Sequence, residues 1–230
     1  MNILEVNALN IDIAGSRVLD NINFSVEKGE VLAVIGPNGA GKTVLLKALI
    51  GLLKCSGSIK WAGGIKKGYV PQRMDIETDV PLTVTEFFRL HESAPSINRI
   101  KEVLTFVHLD ARILKSGFGE ISVGQRQRIL VAWSVLGNPD VLLFDEPTAD
   151  IDVAGQESIY NMLYHLQKNL GLTIILVSHD LNVVYRHAHT VLCLNRKNMC
   201  FGKPKDVLTP DQLLGLYGGD KAFFEHHHNH

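Results

Sequence analysis

Residues 31–43 read VLAVIGPNGAGKT: the apolar run Val31 to Ile35, the turn residues Gly36, Pro37, Asn38, Gly39, Ala40 and Gly41, and then Lys42 and Thr43. The short apolar run predicts a buried strand, and the following TVLLKALIGLL predicts a helix. A G-x-x-x-x-G-K-T string between a strand and a helix is the setting of a phosphate-binding loop. Gly39 and Gly41 let the backbone curl with its amides inward, so loop and helix N-terminus together offer donors to a polyphosphate. Lys42 adds a point charge for the outer phosphates, and Thr43 adds a hydroxyl for a magnesium ion.

Two further apolar runs end in polar chemistry. VLLF at 141–144 leads into Asp145 and Glu146, and TIILV at 173–177 leads into Ser178 and His179. In open α/β sheets ligands bind at the carboxyl ends of strands. Adjacent at a strand end, Asp145 and Glu146 point apart, one towards a metal through Thr43 and a water, the other into a different volume where it can polarise an attacking water. A solvated turn before Pro147 is the plainer reading of the pair. His179 alone would be an ordinary hydrogen-bonded histidine; its place at a third strand end argues for more. In ISVGQRQR at 121–128, Ser122 and Gly124 fall at the start of a helix, either to hold an anion or simply as an N-cap before a basic exposed helix.

Outward from these runs, residues 1–30 carry strand-like patches at Ile3 to Val6, Leu9 to Ile13 and Ile22 to Val26, which predict a β-rich N-terminal layer. Thr83 to Leu114 turns to a helical period and predicts a small helical lobe reaching about Gly119. Helices are expected over Val123 to Leu136 and 155–170, the latter with Ile159, Met162, Leu163, Leu166 and Leu170 on one face. The chain has 230 residues, 46% hydrophobic and 20% charged, with a net charge of −1. It is long enough for one large domain, and the charge balance argues against nucleic acid or acidic lipid as a partner. Cys55, Cys193 and Cys200 are odd in number and lack CxxC spacing, and no apolar leader precedes Asn7, so a reducing, cytoplasmic setting is expected. The longest apolar stretches are too short, or too interrupted, to cross a bilayer.

GPNGAGKT, the glutamine of YVPQR, ISVGQRQR, VLLFDEPTADID and LVSHD stand in the order and spacing of ATP-binding cassette (ABC) transporter ATPases, which the whole chain resembles. The resemblance implies an α/β fold with a P-loop NTPase core and an N-terminal antiparallel β layer over 1–72 and 120–218. A helical subdomain would span 73–119 and a His-rich tail 219–230. It implies ATP and Mg2+ as cofactors, with Gly36 to Thr43 cradling the nucleotide and Thr43, Asp145 and Gln72 serving the metal. Glu146 would be the catalytic carboxylate, His179 would contact the γ-phosphate, and Gln72 would relay that phosphate's presence to a membrane partner. Ser122, Gly124 and Gln125 would complete the ATP site of a second subunit in a head-to-tail homodimer, with Asp152 at the junction. Gln72 as an exposed polar residue and Asp152 as a helix N-cap are the simpler readings. Two positions depart from the family pattern: Ile13 stands where an adenine-stacking aromatic is usual, and Val123 replaces the first glycine of LSGGQ.

LTVTEFFRL, the short lobe and VLCLNRKNMCFGKPKDVLTPDQLLGLYG resemble ATPase subunits of zinc and manganese importers, especially the zinc branch. That implies an integral membrane permease as direct partner, an extracytoplasmic metal-binding protein as an indirect one, and a peripheral place on the cytoplasmic face of the membrane. Leu82, Val84, Phe87 and Phe88 are the apolar candidates for the permease contact, some packing internally and others exposed. His226, His227, His228 and His230 either bind a divalent ion or form a solvated tail. A soluble cassette ATPase, an importer of another substrate, a phosphate-loop kinase and a pure binding module remain as alternatives. The kinase has no use for ISVGQRQR, and an intact Glu146 speaks against the binding module.

Overall fold

The computed structural model describes residues 1–72, 81–148 and 151–218. Strands β1 (Asn2–Ile13) and β2 (Ser16–Glu27) form an antiparallel hairpin, and β4 (Ser56–Trp61) pairs with the other edge of β1 to make a three-stranded layer. The second sheet runs β5 (Lys67–Val70), β6 (Val141–Asp145), β7 (Thr173–Val177), β3 (Val31–Ile35), β8 (Thr190–Asn195) and β9 (Lys197–Gly202). All its pairings are parallel except β8 with β9.

Every residue of β3, β6 and β7 is buried, as expected of parallel strands covered on both faces. On one face, helix α1 (Lys42–Leu49) packs Leu45, Leu46 and Leu49 into a cluster that also holds Leu4, Val6 and Ile22 of the antiparallel layer and Leu32 and Val34 of β3. Against the other face lie α4 (Val123–Val135) and α5 (Val153–Leu170), whose Ile129, Leu130, Ile159, Met162, Leu163 and Leu166 share a cluster with Leu142 and Phe144 of β6. Leu170, expected on that face, is 39% exposed, because the helix ends at Gly171 in a left-handed cap. The C-terminal helices α6 (Leu181–His187), α7 (Pro204–Val207) and α8 (Pro210–Tyr217) close a third cluster against β8.

The lobe consists of α2 (Val84–Arg89), α3 (Ile97–Phe106) and a 3-10 turn (Ala111–Lys115). A capping box starts α2: Thr83 Oγ1 accepts from the Glu86 amide while the Glu86 carboxylate accepts from the Thr83 amide. Phe87 packs on Phe118 at 4.7 Å between ring centroids and on Trp133 of α4 at 6.1 Å. Val84, Phe87 and Phe88 are therefore core, and only half-buried Leu82 of the expected contact candidates reaches the surface. Among the described residues, the large apolar side chains the lobe exposes are Leu90, at 67%, and Ile97, at 46%. Arg128 of α4 joins lobe to core, donating to the Val107 carbonyl and to Ser158 Oγ of α5, both at 2.7 Å.

Cys193 and Cys200 form a disulfide. Their number and spacing concealed it, because antiparallel β8 and β9 set the two residues directly opposite each other. The His-rich segment, residues 73–80 and residues 149–150 lie outside the described residues. Among those described, no helix is long and apolar enough to cross a membrane.

Candidate functional site

β3, β6 and β7 are parallel neighbours, so the segments that follow them emerge at one edge of the sheet. The loop after β3 bends at Gly36, where a Cβ would collide with the Leu194 carbonyl of β8, and at Gly41, whose φ of 97° favours glycine. From behind, the turn between β8 and β9 supports the loop through the Arg196 amide, which donates to the Ala40 carbonyl at 3.0 Å. The loop's front faces an open cleft of about 520 Å³ lined by Val18, residues 38–44, Gln72 and Glu146.

Lys42 is only 7% exposed and lies curled inside its own loop. Its Nζ donates to the carbonyls of Gly36 at 2.9 Å and Pro37 at 3.1 Å, and it sits 3.7 Å from Glu146 Oε1. The other oxygen of Glu146 accepts from Gln72 Nε2 at 3.0 Å. Glu146 takes a left-handed backbone, φ 48°, which costs a side-chain-bearing residue on the order of 1–3 kcal/mol. The bend carries its side chain off the course of β6 and into the cleft.

Asp145 is held from both sides: Thr43 Oγ1 donates to Oδ1 at 3.0 Å, and the Tyr69 hydroxyl donates to Oδ2 at 3.3 Å. Burial raises the Asp145 pKa, and the bonds from Thr43 and Tyr69 work in the opposite direction. Burial, with the Asp145 charge second, pushes the Tyr69 phenol up to about 12, so it stays protonated and able to donate. Hard oxygen donors converging beside a phosphate loop suit a small divalent cation.

His179 follows β7 at the same sheet edge and is exposed. Ser122, Gly124 and Gln125 do not line the cleft; they stand at the start of α4, where exposed Ser122 and Gln125 make a reciprocal capping box and Gly124 is half-buried. Asp152 caps α5, accepting from the Gly155 amide at 3.1 Å. Ile13, 42% exposed near the hairpin turn, does not line the cleft, whereas Val18, unremarked in the sequence, does. Tyr69 escaped notice too, because its link to Asp145 spans 76 positions of chain. Its place in the strand just before Gln72 was the available clue.

Residues 19–149 match the family model described as ABC transporter. Over 233 aligned residues the chain is 37% identical to the zinc import ATP-binding protein ZnuC of Yersinia enterocolitica, covering 99% of this chain and 92% of the relative. To the protein of that name in Pseudomonas fluorescens it is 36% identical, with coverages of 99% and 88%. A solved inward-facing transporter described as of metal-chelate ABC type superposes with a TM-score of 0.85 at 28% identity, covering 94% of this chain and 89% of that one. With more than half of its length matching that family model and relatives 36–37% identical over nearly its whole length, the chain belongs to the ABC transporter family.

Proposed function

We propose that the chain is the ATP-hydrolysing subunit of a membrane zinc importer. The observation that carries this reading is the meeting of Lys42, Gln72 and Glu146 at the mouth of the phosphate loop, in a chain whose relatives are named for zinc import. Those names favour zinc over manganese as cargo.

In this reading ATP enters the cleft and Lys42 leaves the Gly36 and Pro37 carbonyls for the outer phosphates, where its charge is needed most. Glu146, freed from the lysine, takes a proton from water as the water oxygen bonds to the γ-phosphorus and the bond to the β-phosphate bridging oxygen breaks. ADP and phosphate result. His179 contacts the γ-phosphate from the neighbouring loop, and Gln72 senses that phosphate and its metal. The Thr43 hydroxyl and the Asp145 carboxylate fit magnesium, which would neutralise charge on the outer phosphates. Ser122, Gly124 and Gln125 lie outside the lining of this cleft and would instead complete the cleft of a second copy arranged head to tail, with Asp152 near the junction. The permease would contact the lobe, an extracytoplasmic metal-binding protein would act on the far side, and the chain would sit peripherally on the cytoplasmic face.

Glu146→Gln tests the chemistry: it should bind MgATP, release little phosphate, and sediment as a dimer with MgATP but not with MgADP. Full phosphate release by that variant would remove Glu146 from its role, and a monomer at high concentration with MgATP would refute the head-to-tail pair. Zinc-limited against manganese-limited growth of cells carrying the variant distinguishes the cargo.

A further inference from the structure

The segment leaving Glu146 and the segment carrying His179 are tied together by one buried phenol. Tyr160 of α5 is 4% exposed, and its hydroxyl lies 3.0 Å from Thr148 Oγ1 and 3.1 Å from Ser178 Oγ. Thr148 and Ser178 are themselves 1% exposed. Beyond Ser178 the chain of bonds continues, since the Asp180 amide donates to Ser178 Oγ at 3.1 Å and the Asp180 carboxylate caps α6 through the amides of Asn182 and Val183.

Thr148 stands two positions after Glu146, and Ser178 stands immediately before His179. Each hydroxyl has one proton to give, so the buried chain is satisfied only while all three oxygens keep their places. The phenol projects from an 18-residue helix whose Ile159, Met162 and Leu163 are locked into the core. It is a fixed point on a rigid element, from which both loops are held. A phenylalanine would fill the same space and make neither bond.

We propose that Tyr160 is a positioning residue for ATP hydrolysis, holding the Glu146 loop and the His179 loop at a set separation so that carboxylate and imidazole address one terminal phosphate. The inference rests on the reading of Glu146 and His179 given above. It assigns the phenol no contact with nucleotide.

The test is Tyr160→Phe in the full chain, with steady-state phosphate release, binding of a fluorescent ATP analogue and the melting temperature measured together. Misplacement of reacting groups by a fraction of an ångström lowers turnover without touching affinity. The kcat should therefore fall about 10-fold or more while KM and analogue affinity stay within about twofold. Ser178→Ala should lower kcat similarly, and the double variant should lose no more than either single change, because both break one chain. Wild-type kcat in Tyr160→Phe, an equal loss of affinity and turnover, or additive losses in the double variant would each overturn the inference. Glu146→Gln and His179→Ala run alongside: if both are impaired while Tyr160→Phe is not, only this inference fails, and if both retain full turnover the underlying reading falls.

Discussion

Arg128→Met should loosen the helical lobe from the core. The guanidinium donates at 2.7 Å to the Val107 carbonyl, at the end of α3, and at 2.7 Å to Ser158 on α5. Hydrogen bonds from a charged donor contribute about 1.5–3 kcal/mol each. Part of that gain is offset by burial of the charge, which also lowers the Arg128 pKa. Methionine keeps most of the apolar stem, so the loss is confined to the two bonds and to the acceptors left without them, roughly 2–3 kcal/mol. For a chain of this size each kcal/mol moves the melting temperature by about 2–4 °C, which gives a fall of roughly 4–12 °C by calorimetry. Arg128→Lys should recover only part of it, since an ammonium cannot span both acceptors in a fork. The cycle of Arg128→Met with Ser158→Ala isolates the second bond. A fall below about 2 °C in Arg128→Met would show that the lobe is held by apolar packing alone.

Phe88→Ala should cost about 3–5 kcal/mol and depress expression, whereas Leu90→Asp, at an exposed position, should stay within about 0.5 kcal/mol; loss of zinc uptake in Leu90→Asp with unchanged ATPase would mark Leu90 as part of the permease contact, and normal uptake would remove it. Burial lowers the pKa of His91, so the unfolded chain takes up that proton first as pH falls below the ordinary value of 6.5. Stability should accordingly drop from there down to the folded-state pKa and then level off, and His91→Gln should shrink the difference in urea midpoint between pH 7.5 and pH 5.5. Gln72→Ala should leave analogue binding unchanged and weaken transport more than ATPase; proportional losses would deny it a coupling role.

What the sequence disclosed and what it hid follow from the range of the interactions concerned. Val31 to Thr43, Asp145 with Glu146, and Thr173 to Val177 were legible because strand, turn and helix there depend on adjacent residues. The lobe's helices were legible in kind, but periodicity cannot tell the inner face of a small lobe from an outer one, and Phe87 and Phe88 turned out to share the inside. Tyr69, Val18 and Tyr160 act through partners far along the chain, which no local pattern records. The disulfide between Cys193 and Cys200 was hidden for a related reason. It depends on β8 and β9 turning back on each other at Arg196, whose positive φ of 63° is not announced by a glycine.

The contact of Lys42 with Glu146 has an electrical consequence. At 3.7 Å from Glu146 the loop's lysine has a carboxylate counter-ion of its own, so an arriving triphosphate exchanges with that carboxylate at the lysine and does not meet an unpaired cation. Two effects follow from that exchange. Added salt has little unpaired charge to screen in the resting loop, so nucleotide affinity should decline gently with ionic strength. The carboxylate also parts from the lysine only as phosphate takes its place, so it is free to turn to a water when a substrate is present.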